Sequence, residues 1–159
     1  MSSTHEPPVA HIAVVEDNAA DVYLLRIILR QAQVACVIDH LVDGDEAVAF
    51  LLQQGQYQHA PRPDLIILDL NLPKLGGDQV LRKIREARPD LQQVPVVVLT
   101  TSDLLHDRQT MAALGVACYL TKSSNIAALA QLGQAIKDVL VQPKGGENND
   151  NHHTDPDDH

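Results

Sequence analysis

Five short apolar runs punctuate the chain: His11–Val15, Ala35–His40, Asp64–Leu68, Pro95–Leu99 and Ala117–Leu120. Several are apolar throughout rather than alternating, as in strands covered on both faces. A longer segment of helical period follows each run. In Ala19–Gln33, residues Val22, Leu25, Ile28 and Leu29 recur at helical spacing and share a face. Asp45–Gln53 follows a capping residue at Asp43. Gly77–Ala87 carries Val80, Leu81 and Ile84. Asp103–Leu114 carries Leu104, Leu105, Met111 and Leu114 and stops at Gly115, as helices often do at glycine. Asn125–Val141 closes the series. Strand then helix, repeated, predicts an α/β domain with a parallel sheet and crossover helices.

Composition narrows the picture. The chain has 159 residues, 45% of them hydrophobic, enough for one core and one domain. Residues 1–9 are polar and expected to be flexible, and 142–159 form a polar, acidic tail expected to be disordered, leaving 10–141 as the folded unit. The N-terminus lacks the basic-then-apolar pattern of a leader, and no run is long enough for a membrane span, so a cytoplasmic protein is expected. Cys36 and Cys118 lie in or beside apolar runs and are expected to stay reduced. A net charge of -9 and 3% aromatic residues argue against a nucleic-acid surface.

The candidate chemistry lies just after the strands, where open parallel sheets bind ligands. Glu16 and Asp17 follow the first strand, and Asp69, Asn71 and Pro73 the third. Thr100, Thr101 and Ser102 follow the fourth strand, and Lys122 the fifth. Taken singly each has an ordinary reading: an acidic helix start, a turn residue, a strand-end hydroxyl, a surface lysine. Together they put three carboxylates, hydroxyls and one ammonium at one mouth. Clustered carboxylates repel and favour a cation between them, and oxygen ligands without His or Cys select magnesium. A carboxylate between a magnesium ion and a lysine can attack phosphorus, and a threonine hydroxyl can donate to a phosphoryl oxygen. A phosphohydrolase with an aspartyl-phosphate intermediate is the rival reading. It would need a second acid two residues after the nucleophile, where this chain has Asn71. A nucleotide- or flavin-binding module would need a glycine-rich loop where this chain has EDNAAD.

The stretches IAVVEDN, PDLIILDLNLPKLGG, VPVVVLTTS and ACYLTKS resemble the response-regulator receiver family. The resemblance implies a flavodoxin-like fold, a doubly wound five-stranded parallel sheet in the order 2-1-3-4-5 with five helices. It implies Asp69 as phosphoacceptor, and Glu16, Asp17, Asp69 and the carbonyl of Asn71 as the magnesium site. Thr100 and Lys122 become the residues that read the phosphoryl group, and Tyr119 an aromatic switch. The donor would be a sensor histidine kinase, and the chain a signalling phosphoacceptor rather than an enzyme, with output through protein contacts. EDNAADVYLL, QGQYQHAPRPDLIILDLNLP and VVVLTTS further resemble the receivers partnered with phytochrome-type histidine kinases. One departure is Ser123, which follows Lys122 where most of the family has proline after a cis bond.

Aligned on that pattern, Ile126, Leu129, Gly133, Ile136 and Leu140 are expected to face the sheet. A second stripe, Ala128, Leu132, Ala135 and Val139, is apolar where such receivers are usually polar. It either widens the core face or packs against a partner. The expectation taken is a homodimer through the last helix.

Overall fold

The computed structural model describes residues 8–142, and the expectations for residues 1–7 and 143–159 lie outside them. The strands are β1 (Ala10–Val15), β2 (Cys36–Leu41), β3 (Leu65–Leu68), β4 (Val96–Thr100) and β5 (Cys118–Thr121). The helices are α1 (Ala19–Gln31), α2 (Gly44–Leu51), α3 (Gly77–Ala87), α4 (Leu105–Ala113) and α5 (Ile126–Val141), with short 3-10 turns at Gly55–Tyr57 and Pro89–Gln93. All strand pairings are parallel, in the order β2-β1-β3-β4-β5. This is the flavodoxin-like arrangement expected from the sequence.

Side chains alternate across each strand, so one strand feeds two cores. Ala13, Val15, Ile66, Leu68, Val96 and Val98 face α2, α3 and α4, where Phe50, Leu81, Ile84 and Met111 meet them. Ile12, Val14, Leu65, Ile67, Val97 and Leu99 face α1 and α5, against Leu25, Ile28, Leu29 and Ile136. The middle strands therefore read as unbroken apolar runs because both faces are covered.

Local signals set the helix ends. The side chains of Asn18, Asp43 and Asn125 each accept an N–H at the start of α1, α2 and α5. The chain leaves α4 through Gly115 at φ 74°, a left-handed conformation that glycine adopts without cost. Two expectations need correction here. α4 begins at Leu105 rather than Asp103, because Ser102 Oγ bonds Asp107 and keeps 103–104 in the loop. Leu104 and Leu105 are consequently exposed, and Met111 is the buried anchor of that helix.

The second correction concerns α5. Leu132 is buried, 8% exposed, in the same core as Ile136, and is not part of a free stripe. Leu129, Leu132 and Ile136 are spaced three and four apart, so at roughly 100° per residue they share one arc of about 60°. Val139 packs at the border of that core, and Ala128 and Ala135 are half-buried. Ile126, expected to face the sheet, is 84% exposed because it opens the helix before the packed turns begin. Gly133 lets α5 approach α1: a Cβ there would lie 3.0 Å from Ile28 Cγ2. Cys36 and Cys118 are unpaired thiols on strands at opposite edges of the sheet.

Candidate functional site

The carboxyl ends of β1, β3, β4 and β5 converge on one rim, and the buried polar side chains among the described residues are all there. Glu16 and Asp69 are each 5% exposed and Thr100 is fully buried. Parallel register delivers them, because β1, β3 and β4 pair side by side with Val15 beside Leu68 and Leu68 beside Val98. The Asp69 N–H is bound to the Val15 carbonyl at 3.0 Å, and the Glu16 N–H to Leu41 at 3.0 Å. Behind Asp69, α3 starts at Gly77, where an added Cβ would lie 2.6 Å from the Asp69 carbonyl oxygen. No other residue allows the helix to start this close to the strand end.

Asp17 is exposed beside them, and carboxylate oxygens of Glu16, Asp17 and Asp69 lie within 4.8 Å of one another. Lys122 reaches in from the end of β5, its backbone N–H anchored on Thr100 O at 2.8 Å. Its Nζ donates to Glu16 Oε2 at 2.6 Å, Asp21 Oδ2 at 2.8 Å and Asp69 Oδ2 at 3.0 Å. An ammonium has three N–H groups, so each is matched to a carboxylate. The Lys122–Ser123 peptide is trans, like every peptide among the described residues. Thr100 Oγ1 accepts the Ser102 N–H at 3.3 Å, and the Asn71 N–H points at Asp69 Oδ1, 3.2 Å away. Tyr119 is half-buried, donates its hydroxyl to Ser102 O at 2.9 Å, and carries the Arg108 guanidinium over its ring at 4.6 Å. It is thereby tied to the loop that leaves Thr100.

The charges are set by position. Burial pushes the Glu16 carboxyl up to about 7, against hydrogen bonds from Lys122 and the Asn18 N–H, and the Asp69 charge adds to the rise. Burial acts upward on Asp69 too, but Lys122, the Asn71 N–H and Thr100 together hold its carboxyl below the usual carboxylate range. Burial disfavours the Lys122 charge, yet the Asp21, Glu16 and Asp69 carboxylates outweigh it and raise that amine above its usual value. At neutral pH the site therefore presents an ionised Asp69 beside a permanent ammonium. The remaining negative charge, carried by hard oxygens without nitrogen or sulfur, fits a small divalent cation.

Of the sequence-predicted residues, Glu16, Asp17, Asp69, Asn71, Thr100 and Lys122 meet here, while the α5 stripe lies elsewhere. Two neighbours were missed. Asp21 stands on the first turn of α1, and it meets Lys122, 101 residues further along the chain, through a tertiary contact that no local spacing shows. His40 sits on β2 in register with Val14, and its Nε2 lies 2.6 Å from the Glu16 carbonyl oxygen, bracing the turn that carries both acids.

Known proteins share this fold. The response regulator receiver domain family matches residues 12–134. The response regulator Rcp1 of Synechocystis is 46% identical over 142 residues, 89% of this chain and 95% of its own. A probable methanogenesis regulatory protein, FilR2 of Methanothrix harundinacea, is 34% identical over 82% of this chain and 83% of its own. Among solved structures, the Mn(2+)-bound form of Rcp1 superposes with a TM-score of 0.73 at 46% identity, covering 81% of this chain and 92% of that one. The phosphorylated cyanobacterial phytochrome response regulator RcpA gives 0.75 at 44% identity, covering 82% and 93%. The bacteriophytochrome response regulator AtBRR gives 0.69 at 31% identity, covering 89% and 99%. The matched span runs from within β1 to the middle of α5, so the family's domain takes in the whole rim, and the chain belongs to the response regulator receiver domain family.

Proposed function

We propose that this receiver takes a phosphoryl group on Asp69 from a histidine kinase, with a magnesium ion held by Glu16, Asp17, Asp69 and the Asn71 carbonyl. The observation that carries the reading is Asp69 Oδ2, 3.0 Å from Lys122 Nζ, inside a three-acid cluster. One Asp69 oxygen forms the new bond to phosphorus while the bond from phosphorus to the donor's imidazole nitrogen breaks, and that nitrogen keeps the electron pair. Lys122 and the Thr100 hydroxyl face the phosphoryl oxygens, offsetting charge that builds up there. The cation supplies the remaining neutralisation. Asn71 supplies no acid to drive turnover, so the chain acts as a signalling phosphoacceptor and not as a hydrolytic enzyme. Tyr119 serves as the switch: a Thr100 hydroxyl drawn toward the phosphoryl group would pull on the loop to which Tyr119 is bonded.

Similarity to phytochrome response regulators supports a phytochrome-type kinase as donor, and that partner would place the protein in the cytoplasm. The dimer reading is kept on a reduced surface of α5, namely Ala128, Ala135 and Val139, with Leu132 assigned to the core.

The test is labelling by acetyl phosphate with magnesium, read as the mass gain of one phosphoryl group. Wild-type protein should gain one. Asp69→Asn, and wild type in chelator, should gain none. Labelling of Asp69→Asn would overturn the assignment. Transfer rates from a phytochrome-type kinase and from kinases of other sensor classes would then test the choice of partner.

A further inference from the structure

The Lys122 ammonium has one carboxylate partner outside the three-acid cluster. Asp21 accepts from Nζ at 2.8 Å, whereas the cluster consists of Glu16, Asp17 and Asp69. The other two partners, Glu16 and Asp69, belong to the cluster. A divalent cation drawn to these acids thus needs two carboxylates that the ammonium already holds, and two positive charges side by side repel. Asp21 differs from them in position. It stands on the first turn of α1, in a helix start fixed by the Asn18 cap, with its side chain 37% exposed.

We infer that Asp21 is a positioning residue for Lys122: it retains the ammonium when a cation claims Glu16 and Asp69. The inference rests on the phosphoacceptor reading above. The hand-over requires little motion, because the three acceptors already surround one nitrogen. Without Asp21, the ammonium has only the two cluster carboxylates to hold it and competes with the cation for them. With Asp21, the lysine stays beside Asp69 while the cation binds.

The experiment is a calorimetric titration of magnesium chloride into wild-type protein, Asp21→Asn, Asp21→Glu, Lys122→Met and the Asp21→Asn/Lys122→Met double variant. Thermal melting of each variant checks folding. Asp21→Asn should weaken magnesium binding roughly fivefold, the scale of one partly exposed charge pair. The same change in the Lys122→Met background should have little effect, because the ammonium it acts through is gone. Asp21→Glu should recover most of the loss. Equal losses in both backgrounds would mean that Asp21 acts only as a distant charge, and the inference would fail. No loss, or tighter binding, in Asp21→Asn would also overturn it. Failure of the wild-type protein itself to bind magnesium would instead overturn the metal site on which the inference stands.

Discussion

Glu16 carries its carboxyl into a nearly dry position, and that has a measurable cost. Its value in the fold is raised to about 7, above the ordinary 4.5 of the unfolded chain. The folded protein therefore binds this proton more tightly than the unfolded chain does. The resulting stability is fully present below the unfolded value and is lost as pH rises through the folded one. In chelator the protein should lose up to about 3 kcal/mol of stability between about pH 4.5 and pH 7, measured by urea denaturation across that range. Glu16→Gln should flatten the curve, and an unchanged slope would show the strain to lie elsewhere. Asp69 works in a different window. Its lowered value adds stability that is lost only as pH falls below the ordinary carboxylate range. At this scale the sequence was legible where a residue ends a strand or follows it directly: Thr100 in the first case, Glu16, Asp69 and Lys122 in the second. It was opaque where two elements had to be placed together. His40 reaches Glu16 only because β2 pairs with β1, and Asp21 reaches Lys122 only because α1 lies beside the end of β5.

Among the elements, α5 shows how far periodicity carries. Spacing found the helix and its buried centre at Ile136, which is 0% exposed. It misjudged both margins. Leu132 went to the wrong side because an apolar arc in a helix packed on a sheet widens toward the neighbouring helix, here α1. Ile126 was counted as core because periodicity does not show where the sheet ends. A pair of substitutions checks the observed packing. Ile136→Ala should cost about 2–5 kcal/mol, as a cavity in a close-packed layer does. Ile126→Ala should change stability by less than about 0.5 kcal/mol. Equal effects in chemical denaturation would place the helix in another rotation. α4 was misjudged for a related reason. Leu104 and Leu105 fit a helical stripe in sequence, but the Ser102–Asp107 bond starts the helix after Leu104.

At the scale of the molecule, the acids of the rim repel one another, so a cation bound at the proposed site would link metal binding to folding. A ligand that binds only the folded chain stabilises it, by about 2.7 kcal/mol at a hundred times its Kd. Magnesium should therefore raise the melting temperature by several degrees. Asp17→Asn should remove that response while raising the melting temperature in chelator, since one repelling charge is gone. A response that persists in Asp17→Asn would move the cation away from Asp17. Association is tested separately by sedimentation: if α5 pairs two copies, Ala135→Lys should shift a dimer to a monomer that still accepts phosphate. The parallel sheet and the location of the rim were legible from the alternation of strand and helix, whereas the strand order came only from the resemblance to the receiver family, because alternation does not say which strands pair. The close approach at Gly77 has a consequence for how descendants of this sequence can vary. A saturation library at position 77, sorted for labelling by acetyl phosphate, should return glycine almost alone, since any Cβ would press on the backbone of Asp69. Position 76, where the nearest obstacle is the movable Asp78 side chain at 3.0 Å, should return many residues. Adjacent glycines, indistinguishable by eye in the sequence, would thus leave opposite records under selection: one nearly invariant, the other free to drift.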